Sequence, residues 1–230
     1  MTDPIRIDVW SDIACPWCYI GKRNLESGLR ATASDENAPE VEVVFHSYEL
    51  SPDTPVDFEG DEVDFLAGHK GMPRDQVRQM LDRVTGVAAE AGLDYHFDIL
   101  KHTNTVKAHE LLHFAKEQGR QYDMTERLMA AYFVEGRHVG RVDDLVALAG
   151  EIGLDETAAR TALEQGSFRD AVDADKAKAS AYGISGVPFF VIDGKYGVSG
   201  AQPADAFAQI ARQVWAERQE ASADEAAPAV

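Results

Sequence analysis

The stretch DIACPWCYIGK, residues 12–22, places two cysteines three positions apart at the start of a predicted helix. The residues just before it, Ile5–Trp10, alternate in character and are rich in Ile and Val, which is typical of a β-strand. Pro16 stands at the first helical position, where its missing N–H would be unpaired in any case. The sequence therefore predicts that Cys15 caps a helix that follows a strand.

This capping position predicts a reactive thiol at Cys15. Its sulfur would face unpaired backbone N–H groups and the positive end of the helix dipole, and both favour the thiolate. We expect its pKa to lie below the reference value of about 8.5. Cys18, one turn further along and less exposed, can attack a mixed disulfide formed at Cys15. Trp17 is either a contact surface for a substrate polypeptide or a surface aromatic without a partner.

Two patterns in the chain also occur in zinc proteins. A zinc site at the cysteine pair would need two further ligands in a second closely spaced pair, and the chain has no other cysteine. The stretch HELLH, residues 109–113, matches the H-E-x-x-H motif of metalloproteases, but Lys116 and Gly119 stand where the extended motif requires glycine and histidine. We predict no metal, and we expect His109 and His113 to flank an apolar stripe on a helix.

The remaining strand patterns indicate an α/β fold. Val41–Phe45 alternates like a second strand after a helical stretch, so the chain begins β-α-β. Near the other end, Pro188–Ile192 predicts a buried strand, Asp193-Gly194 a tight turn and Lys195–Val198 a returning strand. A helix predicted over Pro203–Arg218 completes a β-β-α unit.

Between these two units the chain has hardly any strand pattern. We therefore predict a discontinuous α/β domain of residues 1–55 and 183–218, a helical insertion of residues 56–182, and a disordered tail of residues 219–230 that lacks large apolar side chains. The helices predicted in the insertion are Asp61–Ala67, Pro73–Ala91, Thr105–Glu117, Met124–Glu135, Asp143–Ile152, Glu156–Glu164 and Phe168–Tyr182.

A second signature lies just before the predicted third strand, at Gly186-Val187-Pro188. A proline at the first residue of a strand needs a reason to be there, and an X–Pro bond adopts the cis form at a cost of only about 0.5–1 kcal/mol. A cis Pro188 would expose the N–H and C=O of Val187 for pairing with an extended substrate strand beside Cys15.

Four segments together resemble the DsbA-like branch of the thioredoxin superfamily and, more closely, its FrnE-like subfamily. The resemblance implies a thioredoxin-like fold with an all-helical insertion, Cys15 as the attacking thiol, Cys18 as the resolving thiol and Pro188 as a cis-proline. The segments are DIACPWCYIGK (residues 12–22), NTVKAH (104–109), GVPFFV (186–191) and VSGAQP (198–203).

The same resemblance implies a cytoplasmic thiol–disulfide oxidoreductase or disulfide isomerase that acts on a protein or a small-molecule thiol or disulfide. Pro16, Trp17 and Val187 would contact the substrate together with Pro188. No cofactor is expected beyond the redox-active cysteine pair, with glutathione as a co-substrate to be considered. With only two cysteines, the chain lacks the extra pair of some FrnE-like relatives, which weakens the case for an isomerase.

One departure from the superfamily pattern affects proton transfer. Many members keep a buried acid six residues before the first cysteine, and this chain has Val9 there. Asp12 is the nearest replacement, although an Asp just before a helix is often a cap or turn residue. Asn104 and His109 are further secondary candidates, because the inserted helices would bring them towards the active site.

A rival family shares the inserted architecture. Glutathione transferases of the kappa class and hydroxychromene carboxylate isomerases bind glutathione where Cys15 and Pro188 would meet, and a single serine usually stands at their reactive position. The presence of both cysteines favours dithiol exchange over a glutathione-dependent isomerase or transferase. The sequence leaves open whether the protein is a monomer or a homodimer.

Charge and hydropathy limit the partners. The chain carries 22 basic and 40 acidic residues, a formal net charge of -18, which opposes contacts with nucleic-acid phosphates and with anionic membranes. The first residues show no basic segment followed by an apolar one, so we predict no secretory signal and a cytoplasmic location. No apolar run is long enough to span a bilayer.

Overall fold

The computed structural model describes residues 4–33 and 40–226. Within these residues the chain forms four strands and nine helices. In chain order they are β1 (Ile5–Ser11), α1 (Pro16–Thr32), β2 (Val41–Ser47), α2 (Glu62–Lys70), α3 (Arg74–Glu90), α4 (Val106–Glu117), α5 (Gln121–Phe133), α6 (Val142–Glu151), α7 (Glu156–Gln165), α8 (Arg169–Ala181), β3 (Phe189–Ile192), β4 (Tyr196–Ser199) and α9 (Ala204–Ala226).

The four strands form one mixed sheet in the order β2-β1-β3-β4. β1 and β2 are parallel and joined through α1, whereas β3 pairs antiparallel with both β1 and β4. The turn between β3 and β4 places Asp193 and Gly194 at positive φ, as a tight hairpin turn requires. The predicted β-α-β and β-β-α units and the thioredoxin-like α/β fold are confirmed.

One face of the sheet packs against α1 and α9. Alternate residues of β1 point to this face because successive strand side chains alternate between the two sides of a sheet. We call this group of buried side chains the sheet core. Its members are Ile5, Ile7, Val9, Leu25, Phe45, Phe190, Ile192, Phe207 and Val214.

The seven helices between β2 and β3 build a second and larger core, the helical core. Its residues come mainly from α3 to α7, but Cys15, Cys18 and Tyr19 of the α1 region belong to it as well. The first turns of α1 therefore leave the sheet core and enter the helical core. The cysteine pair lies at the junction between the thioredoxin-like unit and the inserted helices.

Two glycines of α1 allow close approach to neighbouring backbone. A Cβ atom at Gly28 would lie 2.5 Å from the carbonyl oxygen of Ala204, at the start of α9. A Cβ atom at Gly21 would lie 3.0 Å from Cγ of Pro188, just before β3. Both glycines hold α1 close against the C-terminal β-β-α unit, which sets the position of the cysteines relative to Pro188.

Three predicted helix boundaries are wrong. α2 ends at Lys70 rather than at Ala67, and Gly71 at positive φ forms its C-cap. α5 spans Gln121–Phe133 rather than Met124–Glu135, because Gly119 at positive φ ends the preceding helix and frees the chain to begin a new one early. α9 continues to Ala226 although disorder was predicted from residue 219, because Ala and Glu have high helix propensity. Residues 227–230 lie outside the described residues. In the described part of the chain, no helix combines the length and the apolar character that crossing a membrane requires.

Candidate active site

The cysteine pair stands at the N-terminus of α1. Cys15 is the N-cap residue with extended backbone angles, φ -92° and ψ 111°, and Pro16 occupies the first turn as predicted. The backbone N–H of Cys18 donates to the carbonyl oxygen of Cys15 at 3.0 Å. Both residues are free thiols and both are buried, with 3% and 2% of their surface exposed. The predicted difference in their exposure is therefore almost absent, because the helical core and the segment before β3 cover Cys15 as well.

The structure brings the two predicted signatures together across 172 positions of the chain. The Sγ atom of Cys15 lies 3.6 Å from the carbonyl oxygen of Val187 and donates to it. The peptide bond between Val187 and Pro188 is cis, as predicted. The carbonyl of Pro188 accepts a hydrogen bond from the backbone N–H of Gly200 at 2.8 Å, which ties this segment to the end of β4.

The surroundings of Cys18 keep its thiol protonated. Burial raises the pKa of Cys18 well above its usual value, and the neighbouring Cys15 raises it further. The Ser11 hydroxyl and the backbone N–H of Asp12 act in the opposite direction, and their effect is smaller. A reaction in which Cys18 attacks as a thiolate must therefore remove a proton from a buried site.

The Asp12 carboxylate is fully buried and holds the turn before α1. Its Oδ2 accepts from the Leu50 N–H at 2.7 Å, and its Oδ1 accepts from the Thr105 hydroxyl at 2.9 Å and from the Ala14 N–H at 3.2 Å. Nε2 of His109 lies 3.4 Å from the same Oδ1. Burial by itself would raise the pKa of Asp12, but His109 and the other donors hold it below the usual value.

The other two candidates that the sequence offers from the inserted helices differ in placement. His109 is buried beside Asp12, and its Nδ1 has no hydrogen-bond partner among the described residues. The Asn104 side chain donates to the carbonyl of Pro52 at 2.8 Å and accepts from the Val106 N–H at 2.9 Å, so it fixes the start of α4. Trp17 is 42% exposed next to the cysteines.

Tyr95 contacts the active-site turn but was not predicted from the sequence. Its hydroxyl donates to the carbonyl of Pro16 at 2.7 Å, and its ring stacks on Phe133 with 4.7 Å between the centroids. Burial raises the pKa of Tyr95, and the nearby Cys15 and Cys18 raise it further. Tyr95 lies in the irregular segment between α3 and α4, where no periodic pattern marks it as close to the cysteines.

The two histidines of the HELLH stretch contact different aspartates. His109 faces Asp12, whereas Nε2 of His113 lies 3.1 Å from Oδ2 of Asp175 and 3.2 Å from Oγ of Ser47. Among the described residues, no group of three or more potential ligands is arranged to hold a metal ion. In this fold the two imidazoles serve two separate polar clusters.

Asp175 also belongs to a row of alternating acids and imidazoles, the acid–imidazole row of Asp8, His46, Asp175 and His113. The two ring nitrogens of His46 each lie 2.6 Å from a carboxylate oxygen, one of Asp8 and one of Asp175. Burial opposes ionisation of Asp175, but His113 and His46 hold its pKa well below the usual value. Asp8 and His46 are buried polar residues of β1 and β2, and the polar positions in these two strands were the one sign of the row in the sequence.

A charged cluster lies further along α1, away from the cysteines. The ammonium group of Lys22 is almost completely buried, 2.5 Å from Glu26 and 2.6 Å from Glu126 of α5. Arg23 also pairs with Glu126. Burial would raise the pKa of Glu126, but Arg23, Lys22 and Tyr19 together lower it to about 2.

The comparison with known proteins agrees with this arrangement. A family model described as the DSBA-like thioredoxin domain matches residues 6–212. The chain belongs to this DsbA-like family. Membership supports a general role in thiol–disulfide chemistry and confirms the family resemblance drawn from the four sequence segments.

Three known proteins show what the chain is similar to. A crystal structure of a probable DsbA oxidoreductase from Streptomyces coelicolor has 40% identity and a TM-score of 0.85, covering 93% of this chain and 91% of that one. The Bacillus subtilis protein YwbO, described as uncharacterized, is 30% identical over 88% of this chain and 94% of its own length. The cytosolic disulfide reductase DsbM from Pseudomonas aeruginosa, also solved with glutathione, shares the fold at 20% identity and a TM-score of 0.64, covering 91% of this chain and 98% of that one.

Proposed function

We propose that this DsbA-like protein is a FrnE-like, cytoplasmic oxidoreductase that exchanges thiols and disulfides through Cys15 and Cys18. The observation that carries the proposal is the position of the Cys15 sulfur. It lies at the N-terminal end of α1 and 3.6 Å from the carbonyl of Val187. A helix N-terminus favours a thiolate, and the exposed edge of a backbone segment can align a substrate next to it.

In the proposed reaction the Cys15 thiolate attacks one sulfur of a substrate disulfide. A mixed disulfide forms, the substrate S–S bond breaks, and the first substrate thiolate leaves. Cys18 then attacks the Cys15 sulfur, so that the Cys15–Cys18 bond forms and the second substrate thiol leaves. The substrate gains the two electrons that the cysteine pair loses, and the reverse sequence oxidises a substrate dithiol.

Substrate contacts follow from what surrounds the attacking sulfur. The Val187 carbonyl would receive a backbone N–H from an extended protein or peptide substrate, and Pro16 and Pro188, which follow Cys15 and Val187 in the chain, would also contact it. Trp17, with 42% of its surface exposed, offers a flat apolar surface beside the reacting bond. Loss of this ring should weaken binding of a polypeptide more than binding of a small disulfide.

The roles of the two cysteines can be separated by substitution. Cys15→Ser should abolish both insulin reduction and oxidation of a dithiol peptide, because it removes the nucleophile. Cys18→Ser should instead trap a mixed disulfide at Cys15, visible as a mass increase. A Cys15→Ser protein with full activity in both assays would refute the proposal.

Glutathione deserves a separate test, because the structurally similar DsbM has been solved with it. A glutathione-dependent isomerase or transferase needs one nucleophile at position 15, whereas dithiol exchange needs both cysteines. Turnover with glutathione that survives Cys18→Ser would favour the first alternative. The equilibrium potential of the cysteine pair against glutathione shows whether the protein reduces or oxidises its substrate. A value near about -220 to -320 mV indicates a reductase or isomerase, and a higher value indicates an oxidant.

A further inference from the structure

The backbone just before Pro188 forms an exposed edge beside Cys15. Ser185 and Gly186 are exposed, and neither they nor Val187 donates a backbone N–H to any described residue. The carbonyl oxygen of Val187 lies 3.6 Å from the Cys15 sulfur. An extended substrate strand that pairs with this edge would therefore place its cysteine against Val187 and continue along Ser185.

A cavity of about 450 Å³ opens next to this edge. It lies between the end of β2, the second half of α8 and the segment that leads to β3. Its volume falls within the range of about 300–1,000 Å³ that is typical of pockets for small ligands. Its walls include Tyr48 and Glu49 after β2, Lys176 and Ser180 of α8, and Ser185.

The cavity and the exposed edge share one wall. Ser185 lines the cavity and stands two residues before Val187, a span of at most about 7 Å in an extended chain. Tyr48 and Val187 also pack against the same small buried cluster, which contains Trp10 and Ile184. The cavity therefore begins within two residues of the place where a substrate cysteine would react.

Strand geometry determines which substrate side chain would reach the cavity. Successive side chains of a strand alternate between its two faces, and each residue adds about 3.3 Å. The side chain two residues from the substrate cysteine therefore lies about 7 Å along the strand and points to the same side as the cysteine. With the cysteine against Val187, this residue lies against Ser185, at the cavity.

The charges in the cavity are already paired. Among the described residues that line it, Glu49 and Lys176 are the charged ones, and Oε2 of Glu49 lies 2.5 Å from Nζ of Lys176. The Glu49 side chain is 3% exposed, and the Lys176 ammonium also lies 3.5 Å from Asp173. A charged substrate side chain would lose solvation here without finding a free partner, whereas an uncharged one has no such cost.

We propose that this cavity binds an aromatic side chain of a polypeptide substrate, two residues from the cysteine that Cys15 attacks. The inference rests on the proposed function and adds a substrate class to it. Tyr48 offers a ring against which another ring packs, and the hydroxyls of Ser180 and Ser185 offer partners for a phenolic hydroxyl. The preferred substrates are thus polypeptide disulfides with an aromatic residue near the cysteine.

The test measures the attack of Cys15 on short peptides, with the full-length reduced protein. Each peptide has the sequence X-Gly-Cys-Gly-X, where X is Phe, Gly, Glu or Lys, and its cysteine carries thionitrobenzoate as a mixed disulfide. The Cys15 sulfur bonds to the peptide sulfur, the bond to thionitrobenzoate breaks, and thionitrobenzoate leaves with the electron pair. Absorbance follows its release.

The rates of the four peptides should differ in a defined order. The Phe peptide should react about tenfold faster than the Gly peptide, the lower end of the gain from burying such a side chain. The Glu and Lys peptides should not react faster than the Gly peptide, because the cavity holds no free partner for their charges.

Ser180→Trp places a large side chain in the cavity from an exposed position on α8. The ratio of the Phe rate to the Gly rate should fall from about ten to about one. Ala174→Trp is the matched control, because Ala174 is also an exposed residue of α8 but does not line the cavity. It should leave the ratio unchanged.

Lys176→Met checks the charge argument independently. It removes the partner of the buried Glu49 carboxylate, and the ammonium group of a substrate lysine can then take its place. The Lys peptide should therefore react several-fold faster than the Glu peptide in this variant. Equal rates for these two peptides would show that Glu49 does not face the bound side chain and would overturn the inference.

The parent protein supplies the remaining outcomes. Equal rates for the Phe and Gly peptides would overturn the inference. A preference for the Phe peptide that persists in Ser180→Trp would also overturn it, since the preference would then come from another surface, such as Trp17. A parent protein that releases no thionitrobenzoate from any of the peptides would instead overturn the proposed function.

Discussion

The two ends of helix α1 are held by different interactions. At the N-terminal end, distant segments donate hydrogen bonds to the turn that carries the cysteines: Tyr95 donates to Pro16, and Thr105 donates to Asp12. At the C-terminal half, close packing dominates, because Gly28 lets α1 touch the backbone at Ala204. Substitutions at the packed end should change stability without changing thiol chemistry, and substitutions at the bonded end should change thiol chemistry as well as stability.

A charged cluster lies in the middle of α1, between the hydrogen-bonded end and the packed end. Lys22 is buried between Glu26 and Glu126, which ties α1 to α5 through ion pairs. The free energy that these ion pairs contribute to stability depends on pH, whereas the free energy of the packing contact at Gly28 does not. The three regions of one helix can thus be distinguished by substitution and by titration.

The largest loss of stability is expected for Gly28→Ala. The added Cβ would meet the Ala204 carbonyl oxygen at 2.5 Å and the Phe207 Cβ at 2.8 Å, so α9 must move. Overpacking of this kind costs about 1–3 kcal/mol in the free energy of unfolding. Denaturant unfolding measures the effect, and the rate at which Cys15 attacks the disulfide dithiobis(nitrobenzoate), followed as release of thionitrobenzoate, should be unchanged in the folded variant.

Gly86→Ala is the matched control for that prediction. Gly86 also lies inside a helix, α3, but a Cβ there meets no atom within 4 Å. The substitution should raise stability by about 0.5–1 kcal/mol, because Ala favours the helix. Equal effects of the two substitutions would show that the approach of α1 to α9 is not the controlling contact.

A loss of stability smaller than that of Gly28→Ala is expected in acid, where Glu126 becomes protonated. The pKa of Glu126 is lowered to about 2 in the folded protein, so its ionised form stabilises the fold above the unfolded value of 4.5. This stability is lost as the pH falls from about 4.5 to about 2. Because 34% of the Glu126 side chain is exposed, solvent screens part of the interaction.

The difference between the parent protein and Glu126→Gln isolates this contribution. The variant should be less stable at neutral pH, and the gap should close as the pH falls through that window. Asp75→Asn removes a mostly exposed carboxylate that pairs with Arg78 and serves as the control. A gap between the parent protein and Glu126→Gln that is constant from neutral pH down to about 2 would contradict the assigned pKa shift.

The smallest change in stability, and the clearest one in reactivity, is expected for Tyr95→Phe. Loss of its hydrogen bond to Pro16 should cost about 1 kcal/mol in the free energy of unfolding. The rate at which Cys15 attacks dithiobis(nitrobenzoate) should change several-fold, because the turn that presents Cys15 loosens. Tyr122→Phe removes a hydroxyl that donates to Glu26 further along α1 and should affect stability alone. Identical rate changes in the two variants would remove the distinction between the two ends of α1.

Local patterns were sufficient for the elements that carry the chemistry. The alternation of Ile5–Trp10, the proline after Cys15 and the Val187-Pro188 pair each depend on neighbours within a few residues. Backbone geometry follows from such short-range constraints, so the strand and the helix start were predicted from local patterns, whereas the cis form of the Val187–Pro188 bond was expected from the resemblance to the DsbA-like family. The near absence of strand patterns between the two units also predicted that the intervening segment is helical.

The contacts that tune the reactive pair required the tertiary structure. Tyr95 and Thr105 contact the turn before α1 from separate segments of the chain, and no sequence pattern around either residue indicates that contact. The HELLH stretch shows the same limit, since helical spacing placed its histidines one turn apart but could not reveal that each faces a different aspartate. The sequence by itself determined that the two cysteines stand at the start of a helix and on what fold they stand. Only the packing of distant segments decided which side chains surround them, because burial and electrostatic interactions depend on distance in space and not on distance along the chain.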